Sequence, residues 1–140
     1  MICDGNGVPL HAEITAGQVH EAHAFEEVME AVEIPQPQGR PRRRPDQLAA
    51  DKAYRVHWIL DWLRDHGIQP VIPRKSNERA RPGRPESFDE DAYRRRNVIE
   101  RCVGWLKECR RIMSRFEKTA LNFLGMIHMA TIERYLRILC

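Results

Sequence analysis

The spacing of hydrophobic and polar positions changes several times along the chain, and these changes predict alternating strands and helices. Residues 7–15 alternate moderately after the turn-forming sequence Asp-Gly-Asn-Gly, which predicts a β-hairpin. Apolar residues in 20–32 recur at helical spacing, so a helix is predicted there. Residues 46–51 predict a short strand that ends at Asp51.

The second half of the chain is dominated by longer helical patterns. An amphipathic helix is predicted to end at Gly67, and a short strand is predicted directly after it, in 68–73. A long helix is predicted to begin at a cap formed by Asp89 or Ser87. A final apolar helix is predicted in 121–139.

Two segments rich in proline and arginine interrupt these elements and are predicted to be loops or linkers, at 34–45 and 74–88. The resulting order is hairpin, helix, strand, helix, strand, long helix and final helix. This order predicts an α/β fold of packed layers, with one domain over residues 1–140.

One face of the predicted long helix carries a glutamate among cations. At about 100° per residue, Arg96, Glu100 and Lys107 fall within roughly 60° of Tyr93 and form one narrow stripe. The opposite arc is the expected core face, formed by Val98, Ile99, Cys102, Trp105, Leu106, Cys109 and Met113. The stripe therefore points towards solvent or a ligand. A solvated face with i,i+4 ion pairs is the common alternative.

Charge is distributed unevenly, although the net charge is only +3. Residues 1–39 contain seven acids and no lysine or arginine, whereas residues 74–118 contain fourteen Lys or Arg against eight Asp or Glu. Such a surplus of positive charge suits a polyanion, and nucleic acid is the default partner. A solvated basic surface is the alternative.

Length and composition exclude several classes of protein. A chain of 140 residues with 42% hydrophobic and 31% charged residues is typical of one modest soluble, globular domain. No run of about eighteen apolar residues is present, so neither a membrane-spanning helix nor a membrane partner is expected. The four cysteines lack a Cys-x-x-Cys pair and are expected to be free thiols in a reducing cytosol.

Several segments together resemble the insertion-sequence DDE transposases of the IS-four/IS-five-like group. Their Y-x2-R-x3-E-x6-K signature is met by Tyr93, Arg96, Glu100 and Lys107, and the sequence LAADKAY lies about forty residues upstream. Similarity extends to the segments CDGNGVPLHAEITAGQVHEAHAF, GIQPVIPRK and RRIMSRFEKTALNFLGMIHMA. Because these segments occur in order over essentially the whole chain, the resemblance is strong where each motif alone is weak.

This resemblance implies a ribonuclease-H-like mixed sheet flanked by helices, and strand-transfer chemistry on DNA. It implies that Asp51 is the second and Glu100 the third of three acids that hold two Mg²⁺ or Mn²⁺ ions. Hard divalent ions prefer carboxylate oxygens, and two ions about 4 Å apart stabilise the attacking and leaving oxygens of phosphoryl transfer. Tyr93, Arg96 and Lys107 would hold DNA phosphates near the cut. A carboxylate among cations is then expected, because the substrate is a polyanion.

The sequence departs from the family pattern at the first strand. The family's first catalytic Asp lies on a central strand upstream of the hairpin, whereas Asp4 falls in the predicted hairpin turn. We therefore expect the C-terminal portion of a catalytic domain, without that strand and acid, and inactive alone. The expected partners are DNA, both element ends and target, and an upstream transposase segment. The complete protein is expected to form a homo-oligomer in the bacterial cytoplasm, associated with the nucleoid.

Two other functions fit the same sequence. A non-catalytic DNA-binding remnant, or a regulatory fragment of a transposase, would need only the basic segment. An autonomous nuclease or resolvase of the same fold is the other candidate. Nicking of DNA that depends on a divalent ion separates the remnant from the two enzymes.

Overall fold

The computed structural model describes residues 1–76, 78 and 88–139, and within them it contains short strands and six α-helices. In chain order the elements are β1 (Ile2–Cys3), β2 (Pro9–His11), α1 (Phe25–Glu30), β3 (Gln47–Ala49), α2 (His57–Asp65), β4 (Gln69–Val71), α3 (Glu90–Arg95), α4 (Asn97–Glu108), α5 (Arg110–Met113) and α6 (Ala120–Leu139). The predicted alternation of strands and helices is confirmed. In the predicted loop 74–88, residues 77 and 79–87, including the candidate cap Ser87, lie outside the described residues.

The predicted hairpin is formed by β1 and β2, which pair in antiparallel orientation. Its turn is organised by Asp4, whose Oδ1 accepts the backbone N–H groups of Asn6 at 2.9 Å and Val8 at 2.8 Å. Gly7 has a φ of 81°, which a residue without a Cβ adopts freely. Asp4 is thus a turn residue, as its sequence context predicted.

The strands β3 and β4 pair in parallel, with Ala49 opposite Val71. The connection between them is α2, whose apolar face buries Ile59 and Leu63 completely. Full burial of such a side chain stabilises the folded state by about 1.5–3 kcal/mol, compared with leaving the side chain exposed. The parallel pair and its helix therefore form one locally stable unit. The carboxyl ends of β3 and β4 lie at the same edge of the sheet.

The C-terminus of α2 ends as the sequence predicted. Gly67 has a φ of 70° and its N–H donates to the carbonyl of Arg64 at 2.9 Å. The next N–H, of Ile68, donates to the carbonyl of Leu63 at 2.8 Å. These two bonds make a Schellman motif, which satisfies carbonyls at the helix end and turns the chain into β4.

The predicted long helix is broken, which corrects the sequence analysis. Asp89 caps α3 by accepting the N–H of Ala92 at 2.8 Å, but the helix stops at Arg95. Arg96 has φ −51° and ψ −25°, which are 3-10-like angles, and it takes part in i→i+3 bonds on both sides. A second break occurs at Cys109, whose ψ of 102° is extended. Met113, predicted to face the core, is consequently 63% exposed on α5.

Two separate hydrophobic clusters form the core. The first joins α1, α2 and the residues on either side of β4, and consists of Ala22, Phe25, Met29, Ile59, Leu60, Leu63, Ile68 and Ile72. The second joins α4, α5, α6 and the residue that follows β2, and consists of Ala12, Leu106, Ile112, Ile127 and Ala130. The described residues form two two-stranded sheets, β1–β2 and β3–β4, rather than the one mixed sheet predicted, and Ile2 of β1 packs against the first cluster.

The final helix α6 is amphipathic only in part. Ile127 and Ala130 enter the second cluster, whereas Leu121, Met129 and Leu136 are 79%, 65% and 57% exposed. No helix in the described residues has the length and hydrophobicity needed to cross a membrane.

Three of the four cysteines lie in the described chain, and all three are free thiols, as predicted. Cys102 is fully buried on α4, whereas Cys3 and Cys109 are half-buried. A hydrogen bond from the Cys3 thiol, and then the positive charge of Arg134, lower the pKa of Cys102, whereas burial raises it. These thiols tie the hairpin to α4.

Candidate functional site

Asp51 lies where the chain leaves β3. The strand ends at Ala49, two residues before Asp51, which was predicted to end it. Asp51 instead caps a 3-10 turn, Lys52–Tyr54, and its Oδ1 accepts the N–H of Ala53 at 2.8 Å. Its Oδ2 has no hydrogen-bond partner in the described part of the chain. One oxygen of this exposed carboxylate is therefore held by the backbone, and the other is available to a ligand.

Tyr93, Arg96 and Glu100 form one contact group at the α3–α4 junction. The Nη2 of Arg96 donates to the Oε1 of Glu100 at 2.8 Å, and the guanidinium carbon lies 5.5 Å from the centroid of the Tyr93 ring. The Arg96 side chain is 24% exposed and that of Glu100 is 63% exposed. The arginine is therefore held from both sides, by a ring face and by a carboxylate.

Lys107, the fourth residue of the signature, lies on the exposed face of α4. Lys107 is seven positions from Glu100, which is about 10 Å along a helix axis. The structure therefore does not bring Lys107 into the contact group. Trp105 is half-buried against the second cluster and has the guanidinium carbon of Arg134 4.7 Å from its ring centroid. Trp105 thus packs, as predicted.

A cavity of about 1090 Å³ is lined by residues of both strand pairs. They include Ile2 and Cys3 of β1, all of β3, and Gln69 and Val71 of β4. Asp51 and Arg96 both line this cavity, whereas Glu100 is not among the described residues that do. Asp51 therefore opens onto the same space as the arginine that contacts Glu100. The shared metal site of Asp51 and Glu100 stays a prediction.

The cavity wall is mixed in charge. Five arginines and five acids line it: Arg42, Arg43, Arg44, Arg95, Arg96, Asp4, Glu13, Glu21, Asp46 and Asp51. Two of these charges neutralise each other directly, because Arg42 contacts Asp46 at 2.8 Å. Burial, and then the negative charges of Glu21 and Asp51, raise the pKa of Tyr54, which also lines the cavity. The local field around Asp51 is therefore not uniformly positive.

The carboxylates fit a hard divalent ion in chemistry but are few in number. Asp51 and Glu100 are exposed and present oxygen ligands, which Mg²⁺ and Mn²⁺ prefer. Within residues 1–76, 78 and 88–139, no group of three or more His, Cys, Asp or Glu side chains is placed to hold a metal ion.

An ion pair that the sequence analysis missed lies beside the Asp51 turn. Arg55, which ends that turn, is only 9% exposed, and its Nε and Nη2 donate to the two carboxylate oxygens of Glu78 at 2.5 and 3.0 Å. Its Nη1 donates to the carbonyl of Ile72 at 2.7 Å. The pair joins residues 23 positions apart, so no local periodicity could reveal it.

Comparison with known proteins places the chain in a family. Residues 1–132 match the family described as "Transposase DDE domain". The chain is 31% identical over 121 residues to "Putative transposase for insertion sequence element IS402" of Burkholderia cepacia. That alignment covers 86% of this chain and 53% of the relative, so the chain spans about half the relative's length. No solved structure matches. The family match covers nearly every residue from the hairpin into α6, and the chain therefore belongs to the transposase DDE domain family.

Proposed function

We propose that the chain is the C-terminal part of the catalytic domain of an insertion-sequence transposase of the IS-four/IS-five-like group, with a ribonuclease-H-like fold. The complete protein would cut element ends and join them to target DNA. The observation that carries the proposal is that Asp51 and Arg96, which holds Glu100, open onto one cavity. One position of the signature, Arg96, and the acid of LAADKAY thus line one space, and Glu100 contacts that arginine.

In this proposal Asp51 and Glu100 are the second and third catalytic acids. Each is exposed, and each has a carboxylate oxygen that its main contact, Ala53 or Arg96, leaves free. Two Mg²⁺ or Mn²⁺ ions would stabilise the attacking and leaving oxygens of phosphoryl transfer. Asp51 and Glu100 supply two negative charges for such ions, and in this proposal a third carboxylate comes from an upstream segment.

The cations of the signature would hold the DNA. Lys107 is exposed and suits a phosphate as a compact point charge. Arg96 has a planar guanidinium that can bind a phosphate in bidentate fashion, and its contacts with Tyr93 and Glu100 fix the orientation of that plane. Tyr93 would therefore act chiefly by orienting Arg96, with its hydroxyl available to a phosphate oxygen.

The missing carboxylate and the cavity favour the same upstream partner. Residues of both strand pairs line the cavity, each pair has unpaired edges, and an unpaired edge readily accepts another strand. A strand inserted there would join the two pairs into one mixed sheet. An acid on that strand would lie near Asp51. We propose that an upstream transposase segment supplies both, and that the complete protein works as a homo-oligomer on DNA.

A strand-nicking assay tests the proposed function. The substrate is supercoiled plasmid carrying an element end, in Mg²⁺ or Mn²⁺, and the proteins are the 140-residue chain and a form extended upstream. The extended form should nick DNA, and both Asp51→Asn and Glu100→Gln should abolish nicking. Asp61→Asn, on the exposed side of α2, is the matched control and should remain active. Nicking that survives Asp51→Asn or Glu100→Gln would refute the site assignment.

The same assay separates the alternatives. DNA binding without nicking by the extended form would favour the non-catalytic, DNA-binding fragment. Nicking by the 140-residue chain alone, lost in Glu100→Gln, would favour an autonomous nuclease and would mean that the first acid lies within these residues. The proposed fragment predicts a silent short chain and an active extended one.

A further inference from the structure

The Arg55–Glu78 pair occupies a special place in the fold. Arg55 is the one buried charged side chain in the described part of the chain. Three of its nitrogens donate hydrogen bonds, two to Glu78 and one to the carbonyl of Ile72. Glu78 also accepts the N–H of Lys75 at 3.4 Å, and its own N–H donates to the carbonyl of Lys75 at 3.0 Å. The glutamate therefore binds the backbone of Lys75 and links it to Arg55.

The Arg55–Glu78 clamp joins the two segments that leave the parallel sheet side by side. Arg55 follows the turn that Asp51 caps, and its N–H donates to the carbonyl of Lys52 at 3.2 Å. Ile72 directly follows β4, and Glu78 lies six residues later. Between them stand two cations, Arg74 and Lys75. The clamp thus fixes the path of a basic segment relative to the candidate catalytic turn.

Packing alone does not require a charged pair at this place. The first hydrophobic cluster already fills the space between α2 and β4 with fully buried side chains such as Ile59 and Leu63. Burying a guanidinium carries a desolvation penalty, and apolar residues of similar volume often stabilise a fold as well or better. Bidentate Arg–carboxylate geometry instead supplies direction, because the two planes must align. The pair is therefore suited to setting the position of the segment.

We propose that Arg55 and Glu78 are positioning residues that hold Arg74 and Lys75 beside the Asp51 turn, where those two cations contact DNA phosphates. This inference rests on the proposed function, since it takes DNA as the ligand. It adds to that function a second phosphate-contacting segment, outside the Tyr93, Arg96 and Lys107 signature, and a device that aligns it with the catalytic turn.

For the DNA affinity of Glu78→Gln, the proposal predicts a change opposite in sign to the change predicted from net charge alone. Glu78→Gln removes a negative charge beside two cations, so electrostatics alone predicts tighter DNA binding. Loss of the clamp predicts weaker binding instead, because Arg74 and Lys75 would no longer be held in place. We expect at least about a threefold loss of affinity and a fall of about one to two in the slope of log affinity against log salt. Affinity is measured by fluorescence anisotropy of a short duplex of arbitrary sequence.

Two further variants separate loss of the clamp from a change in net charge. Glu78→Asp leaves the net charge unchanged but shortens the side chain, so it should weaken binding as Glu78→Gln does. Glu133→Gln is the matched control, because Glu133 forms an exposed pair with Arg137 on α6. It should leave affinity and slope unchanged or slightly raised. Far-UV circular dichroism and the urea midpoint identify any variant whose fold is lost, and binding is compared among folded variants.

A double-mutant cycle separates positioning from a purely structural role. In a chain that already carries Arg74→Ala and Lys75→Ala, Glu78→Asp should cause no further loss of affinity. A loss of the same size in both backgrounds would overturn the proposal, as would unchanged or tighter binding by Glu78→Gln and Glu78→Asp. If neither the unaltered chain nor the form extended upstream binds DNA, the proposed function fails and this inference fails with it. Binding with normal sensitivity to Lys107→Ala but not to Glu78→Asp would refute the inference alone.

Discussion

Replacement of Lys107 and Arg96 by alanine, one at a time, tests whether the signature cations contact DNA. Lys107 is exposed and has no ion-pair partner in the described chain, so it should neutralise one phosphate in full. Each such contact changes the slope of log affinity against log salt by about 0.9. Between about 50 and 200 mM salt, the affinity advantage of the unaltered chain over Lys107→Ala should therefore shrink by about 3.5-fold.

Arg96 should behave differently because the structure already pairs it. Its guanidinium lies 2.8 Å from Glu100, so part of its charge is balanced before DNA arrives. We expect Arg96→Ala to lower the slope by less than Lys107→Ala. Glu100→Gln should do the reverse: without a metal ion, it frees Arg96 and should tighten binding and steepen the salt dependence by up to about 0.9.

Titration by fluorescence anisotropy over a series of salt concentrations measures both quantities. Arg137→Ala is the control, because Arg137 is exposed and paired like Arg96 but lies on α6, in an i,i+4 pair with Glu133. The reasoning fails if Lys107→Ala leaves the slope unchanged, or if Arg137→Ala lowers it equally. The first result would mean that Lys107 does not contact DNA. The second would mean that Lys107→Ala acts only by changing the net charge of the chain.

Three predictions concern the fold and its response to pH. Leu63→Ala empties a fully buried site and should lower the unfolding free energy by about 2–5 kcal/mol in urea; an equal loss for Leu121→Ala, at a 79% exposed site, would contradict this. Asp89→Ala should lower the unfolding free energy by about 1 kcal/mol and Asp89→Asn by much less, since both Asp and Asn cap helices. Similar decreases for the two variants would mean that loss of the cap is not the cause. The hydrogen bond from Arg55 lowers the pKa of Glu78 below its usual 4.5, so the pair stabilises the fold above that pH and the contribution is lost as pH falls through the lower, folded-state pKa. Glu78→Gln should accordingly flatten the acid limb of a plot of urea midpoint against pH, and an unchanged limb would refute the assignment.

Much of the local structure was predictable because it depends on short-range chemistry. The Asp4 turn, the capping of α3 by Asp89 and the end of α2 at Gly67 each involve residues within a few positions of one another. Such interactions leave direct marks in the sequence, since only a few residue types can make them. The part of the resemblance that concerns the DDE transposase family was confirmed over residues 1–132, and it too rests on local motifs that occur in order.

The errors arose where the backbone departs from a regular period. An ideal helical wheel assumes one continuous helix from Asp89 onwards. The tight turn at Arg96 and the extended backbone at Cys109 each change the direction in which the following side chains point around the axis. Tyr93, Arg96 and Glu100 still meet, because that change is small at the first break. Met113 lies beyond both breaks and is exposed. The Arg55–Glu78 clamp was missed because it depends on how two strand exits meet in space.

The cavity beside β3 has a kinetic consequence. Within the described chain, β3 has a neighbouring strand on one side only, so alternate amides of Gln47–Ala49 lack a strand partner. Amide hydrogens exchange with deuterium through local openings, and edges open more readily than packed helices. We expect β3 to take up deuterium early, whereas amides around Ile59 and Leu63 exchange only in larger openings. The rate of deuterium uptake at Gln47–Ala49 therefore reports whether the cavity is occupied. A strand bound there would slow exchange of those amides and leave exchange in α2 unchanged.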